Sequence, residues 1–144
     1  MKNIYILFTI VLIFTSCNRN DDINNDNPNL IDPLVSINLN LDLPEYNGLN
    51  FPNNSVVLTQ VGVRGIVVFN VNNDLYTAFD LADPNHTLSS CSTMEIDGIL
   101  ATCSCEDDDN VYDLVTGQHQ TRPDTFPMQA YRAERIGNSI RISN

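Results

Sequence analysis

The sequence predicts an all-β fold, a sandwich or barrel-like stack of short strands. Three observations point to it. Residues 35–43 (VSINLNLDL) alternate strictly between apolar and polar, the period of a half-buried strand. Asp97-Gly98 stands between two short apolar runs, a strong two-residue hairpin signal. No segment carries a helical period, and turn residues recur at short intervals along the body.

The chain has 144 residues, enough for one domain and a modest core. It opens on Lys2 and the apolar run Ile4 to Phe14, too short to cross a bilayer as a helix and of signal-peptide character. Residues 1–16 are therefore expected to be a cleaved signal. Asn18 to Asn29 is rich in Asn and Asp and nearly devoid of apolar residues, so residues 17–34 are expected to form a flexible polar tether. The body, 35–144, begins with the alternating strand. Val35, Ile37, Leu39, Leu41 and Leu43 share one face, and Pro44 ends it.

Val56 to Val61 and Ile66 to Val71 are rich in β-branched residues and flank a segment holding Gly62 and Gly65. Asn72-Asn73-Asp74 reads as a turn, and Leu75 to Phe79 returns as a strand. Met94 to Ile96 and Ile99 to Ala101 form the arms of the Asp97-Gly98 hairpin, and Val111 to Leu114 follows. Thr116-Gly117 turns the chain. Met128 to Glu134 and Ile136 to Ile142 close the domain around Gly137-Asn138. The expectation is about nine or ten short strands.

Seven Lys+Arg stand against 18 Asp+Glu, a formal charge of −11. A nucleic-acid partner is excluded, because a phosphate backbone rewards clustered Lys and Arg. The acidity fits solubility at a cell surface. No phosphate-cradling glycine loop and no G-x-S-x-G elbow is present, and His86 and His119 lack paired metal-ligand spacing. No catalytic residue is assigned. His119 reads as a surface residue.

Phe14-Thr15-Ser16-Cys17 resembles a bacterial lipobox. The resemblance implies cleavage before Cys17, acylation of that residue and attachment to a membrane by its N-terminal lipid anchor, with more than one acyl chain as stable anchoring needs. Asp21 and Asp22 resemble the export signal of surface lipoproteins in Bacteroidota-type bacteria, which implies an outer-membrane lipoprotein of the cell envelope exposed at the surface. Its partner would be an envelope protein or ligand that the sequence does not name.

The body carries a second resemblance. A strand pair (RGIVVFNVNNDLYTAFD) is followed by a loop with Cys91, the Asp97-Gly98 hairpin, Cys103-Ser104-Cys105-Glu106, Tyr112-Asp113 and Thr116-Gly117. In this order they resemble the Rieske family, whose two loops read C-x-H-x-x-C and C-P-C-H-G-S. The resemblance implies a Rieske-like β domain, a stack of small antiparallel sheets carrying an inserted hairpin, with a two-loop former cluster site. A Rieske [2Fe–2S] centre takes two thiolates and two imidazoles. By resemblance Cys103 falls on a thiolate position and Glu106 on an imidazole position. In the first loop two registers are open: His86 with Leu88, or Asp83 with Asn85. Neither supplies a thiolate. Cys103, His86, Glu106, Asp83 and Asn85 are therefore vestigial cluster-site candidates, and no resident cofactor is expected. The alternative is an electron-transfer protein holding an atypical [2Fe–2S] cluster through Cys103 and His86.

Cys91 and Cys105 fall on the family's disulfide positions, which implies that they are bonded and that Cys103 is the odd thiol; pairing of Cys91 with Cys103 is the open alternative. An extracytoplasmic location permits the bond. Finally, Glu106, Asp107, Asp108 and Asp109 are a candidate Ca²⁺ loop on carboxylate density alone. The run lacks the alternating spacing of such loops and also reads as a solvated turn. The function expected is a membrane-anchored, non-enzymatic binding or structural module.

Overall fold

The computed structural model describes residues 27–144. The expected signal peptide, Cys17, Asp21 and Asp22 lie outside the described residues. Nine strands are present among them: β1 (Ser36–Asn40), β2 (Ser55–Leu58), β3 (Ile66–Asn70), β4 (Tyr76–Asp80), β5 (Glu95–Asp97), β6 (Leu100–Thr102), β7 (Val111–Asp113), β8 (Ala130–Ile136) and β9 (Ser139–Ser143). One 3₁₀ turn, Asn47–Asn50, is the only helical element described. The fold is all-β, and every strand pair is antiparallel.

Two sheets form. The larger has the order β1-β9-β8-β4-β3-β2, and the smaller is β5-β6-β7. Strand β8 links the halves of the larger sheet. Its first residues pair with β4 (Ala78 with Tyr131, Phe79 with Ala130), and its remainder pairs with β9.

Strand β3 explains why two sheets share one body. Its five residues IVVFN are all buried. Successive side chains of a strand point to opposite faces. Ile66 and Val68 enter one core with Leu39, Leu41, Leu49, Tyr76, Ala78, Tyr131, Ile140 and Ile142. Val67 and Phe69 enter a second with Phe79, Leu81, Met94, Ala101, Tyr112, Leu114 and Met128. A strand apolar on both faces reads as a continuous run rather than an alternation, as this one does. The small sheet thus packs on the outer face of β3 and β4.

Three element boundaries differ from expectation. The hairpin turn is Gly98-Ile99, because Asp97 pairs with Leu100. Gly98 has φ +61°, so the glycine takes the first central position, as in a type II′ turn, and Asp97 stays in the strand. Gly137 does the same at φ +61°, which puts Ile136 opposite Ser139 and lengthens β8 beyond Glu134. Strand β1 ends at Asn40, and Leu43 turns outward into solvent. The Asn40 side chain accepts from the Asp42 amide at 3.0 Å, and Leu43 N donates to Asn40 O at 3.1 Å, which closes a turn ahead of Pro44.

The stretch 27–34, expected to belong to a flexible tether, is hydrogen-bonded to the body. Asn27 Nδ2 and Asn29 Nδ2 donate to Pro84 O at 2.7 and 3.1 Å. Gln129 Nε2 donates to Ile31 O, and the Asn144 side chain donates to Asp32 and Pro33.

A buried carboxylate organises the return from β2 to β3. Asp80 accepts from the amides of Val63 (2.6 Å), Arg64 (3.0 Å) and Ala82 (2.9 Å) and from Tyr131 Oη (3.1 Å). Gly62, at φ +78°, has no room for a side chain beside that carboxylate. The 63–65 turn is thereby fixed against the base of the loop that leaves β4.

Candidate functional site

Two loops meet at the end of the small sheet. The first runs from β4 to β5. It closes at its base where Met94 N donates to Leu81 O (2.7 Å) and Asp83 N to Ser92 O (3.0 Å), with an isolated bridge between Ala82 and Thr93. The second runs from β6 to β7 and closes where Cys103 N donates to Asn110 O (2.9 Å). Cys91 Sγ and Cys105 Sγ lie 2.11 Å apart, a disulfide between the loops. Cys91 therefore pairs with Cys105 and not with Cys103, which is free and buried.

Asp83 sits fully buried between the loops. Its Oδ1 accepts from Tyr112 Oη at 2.8 Å and from Asn85 N at 2.9 Å. Its Oδ2 accepts from Asn110 Nδ2 at 2.8 Å. Burial, with the Asp83 charge adding to it, raises the Tyr112 phenol well above the usual range, so it remains a donor. Asn85 clamps a third segment. Its Nδ2 donates to Tyr112 Oη (2.8 Å) and Phe126 O (2.7 Å), and its Oδ1 accepts from Phe126 N (3.1 Å).

Cys103 lies in one group with Asp83 and Asp108, their ligand atoms within 4.8 Å of one another. Burial pushes the thiol up to about 12, the two carboxylates adding to it and the Cys105 backbone opposing. It is an un-ionised thiol at neutral pH, a weak nucleophile. Asp83, not His86, is brought to Cys103.

His86 stands on the other side of Asp108. Its Nε2 lies 3.8 Å from Asp107 Oδ1 and 3.9 Å from Asp108 Oδ2. Glu106 is exposed and joins no donor group among the described residues, and Leu88 is exposed. Within the acidic run, Asp107 (82% exposed side chain) and Asp108 (17%) each bring one oxygen near His86, while Asp109 points out (93%) to pair with Arg122 Nη2 at 2.9 Å.

His119 corrects the surface reading. It is 7% exposed, and its ring meets Tyr112 edge-on at a centroid distance of 5.2 Å. The amides of Thr121 (3.2 Å) and Arg122 (3.1 Å) approach its Nδ1, and the Arg122 guanidinium approaches its Nε2 at 2.9 and 3.2 Å. Burial, and then that positive charge, hold His119 below its ordinary value. Arg122 also reaches the Asn110 side chain. Asn110 and Arg122 were missed as site residues. A single Asn and a single Arg in polar loops carry no pattern that marks them.

A Rieske cluster needs two thiolates and two imidazoles. With Cys91 and Cys105 bonded, Cys103 is the one free thiol among the described residues. The carboxylate of Asp83, the side chain brought to Cys103, is already taken by three donors. These residues do not fit a [2Fe–2S] cluster.

Two base-closed loops joined by a disulfide thus stand above a three-stranded sheet, the two-loop arrangement that the sequence resemblance implies. No protein-family profile matches the sequence, and no curated protein does. Among solved structures there is a likeness at low identity. The chain is similar to one in the complex of reduced oxygenase and oxidized ferredoxin in carbazole 1,9a-dioxygenase, at 17% identity and TM-score 0.48, covering 76% of this chain and 100% of that one. It is similar to the ferredoxin of carbazole 1,9a-dioxygenase from Nocardioides aromaticivorans IC177, at 15% identity and TM-score 0.47, covering 78% and 98%. A Sphingomonas yanoikuyae B1 ferredoxin matches at 17% identity and TM-score 0.44, covering 65% and 88%.

Proposed function

We propose that this chain is a membrane-anchored lipoprotein of the cell envelope whose Rieske-like domain serves as a non-enzymatic binding or structural module, without an iron–sulfur cluster. One observation carries the cluster half of this reading. The space between the loops is filled by a hydrogen-bonded network of Asp83, Asn85, Asn110 and Tyr112 instead of two free thiols and two free imidazoles. The loops keep their brace, Cys91 to Cys105, which is a feature a binding surface needs as much as a redox centre does. The anchor half rests on the sequence around Cys17.

The purified protein is expected to be colourless, with no visible absorption for Cys103→Ser to remove. The rival electron-transfer reading requires colour that Cys103→Ser abolishes. For the anchor, Cys17→Ala is expected to shift the protein from the membrane to the soluble fraction. Unchanged membrane attachment of that variant would count against lipidation.

A further inference from the structure

We propose that His86, Asp107 and Asp108, which lie in one group of potential ligands, form a binding site for a single zinc-like divalent cation. This goes beyond the binding-module reading by naming what the joined loops would hold.

The first support is the state of the His86 ring. Nδ1 lies 2.7 Å from Thr87 O. A carbonyl oxygen only accepts, so Nδ1 donates and Nε2 is the ring nitrogen left to face a ligand. Nε2 is turned to two carboxylate oxygens at 3.8 and 3.9 Å. One imidazole nitrogen and two carboxylate oxygens thus surround one point. A metal-bound histidine characteristically donates its second ring N–H to a backbone carbonyl in this way.

The second support is the state of the Asp108 carboxylate. Its Oδ2 is buried and has no hydrogen-bond partner. Its sister oxygen Oδ1 accepts from Asn110 N at 3.1 Å, which holds the carboxylate with Oδ2 turned toward His86. An unpaired buried acceptor is costly, and more so when charged. A bound cation removes that cost.

Geometry and donor type select the ion. Atoms bound to one tetrahedral zinc at ~2.1 Å stand about 3.4 Å apart. The two distances from His86, 3.8 and 3.9 Å, would close by about half an ångström to reach that spacing, and Asp107 is exposed enough to move. The disulfide holds Cys105, two residues before Asp107, against the loop that carries His86. One imidazole and two carboxylates suit zinc and its neighbours, whereas Ca²⁺ takes six to eight oxygens. Three protein ligands leave a fourth position for water. Asp83 is not recruited, because its oxygens are occupied.

The test is titration calorimetry of the chelator-treated full protein with Zn²⁺ and, separately, Ca²⁺. One Zn²⁺ per chain is expected, with Ca²⁺ much weaker. His86→Gln and Asp108→Asn should each weaken Zn²⁺ binding at least tenfold, and Asp109→Asn should leave it unchanged. His86 is partly exposed, so His86→Gln is expected to stay folded and keeps the test decisive should Asp108→Asn unfold. Absence of Zn²⁺ binding, preference for Ca²⁺, or Zn²⁺ affinity that survives His86→Gln would each overturn the site. An imidazolium pairing with the two carboxylates is the state those results would leave.

Discussion

Asp83→Ala is expected to lower the stability of the domain by about 4 kcal/mol, or about 15 °C in Tm. The variant strands three donors between the loops: Tyr112 Oη, Asn110 Nδ2 and the part-buried Asn85 amide. Each orphaned buried group costs about 1–3 kcal/mol, and partial relaxation brings the total below the simple sum. A rescue separates hydrogen-bond polarity from packing. Asp83→Asn alone turns an amide NH₂ toward Asn110 Nδ2 and should remain destabilised. Adding Asn110→Asp reverses both ends of that bond and keeps an acceptor for Arg122, so the double variant should regain more than half of the loss. Chemical denaturation of the three variants measures this. A change within ~1 kcal/mol for Asp83→Ala would show that the network does not hold the loops.

Replacing both Cys91 and Cys105 with serine is expected to cost about 3 kcal/mol, or about 10 °C in Tm. The bond spans a sequence separation of 14. Cross-linking a loop of that length restricts the unfolded chain by about 3 kcal/mol in the chain-entropy picture. The folded loops keep their bases, because the 83–92, 81–94 and 103–110 backbone bonds do not involve sulfur. Unfolding should therefore become easier without loss of the β fold. Alkylation under denaturing, non-reducing conditions should label Cys103 and neither Cys91 nor Cys105. Labelling of all three would contradict the bond.

The strands were largely legible because their patterns are local. Alternation in 35–43 and glycine-bearing turns are written in adjacent residues. What was not legible depends on distance. The pairing of Ala78 with Tyr131 joins segments far apart in the chain, and no local pattern announces it. The hairpin register slipped by one residue because Asp-Gly and Gly-Ile satisfy different turn types, and only the backbone shows which the chain adopts. The burial of β3 on both faces was visible as an apolar run but not as the junction of two cores.

The candidate site was half legible for the same reason. The resemblance drew attention to Asp83, Asn85 and Cys103, and Asp83 lies beside Cys103. Three consecutive aspartates look alike in sequence, yet Asp108 turns inward while its neighbours face water. His119 reads as a polar loop residue until Tyr112 and two backbone amides are seen around it. Arg122 gains its place through contacts with Asp109 and Asn110 in the other loop as well as with His119 nearby.

The central claim is a Rieske-like scaffold that holds no iron–sulfur cluster, and the most direct measurement is iron and acid-labile sulfide in protein purified anaerobically from cells with intact cluster assembly. A hydrogen-bonded Asp83 network in place of the ligand set predicts far less than one iron and one sulfide per chain and no Rieske-type EPR signal after reduction. Two irons and two sulfides per chain with that signal would contradict it.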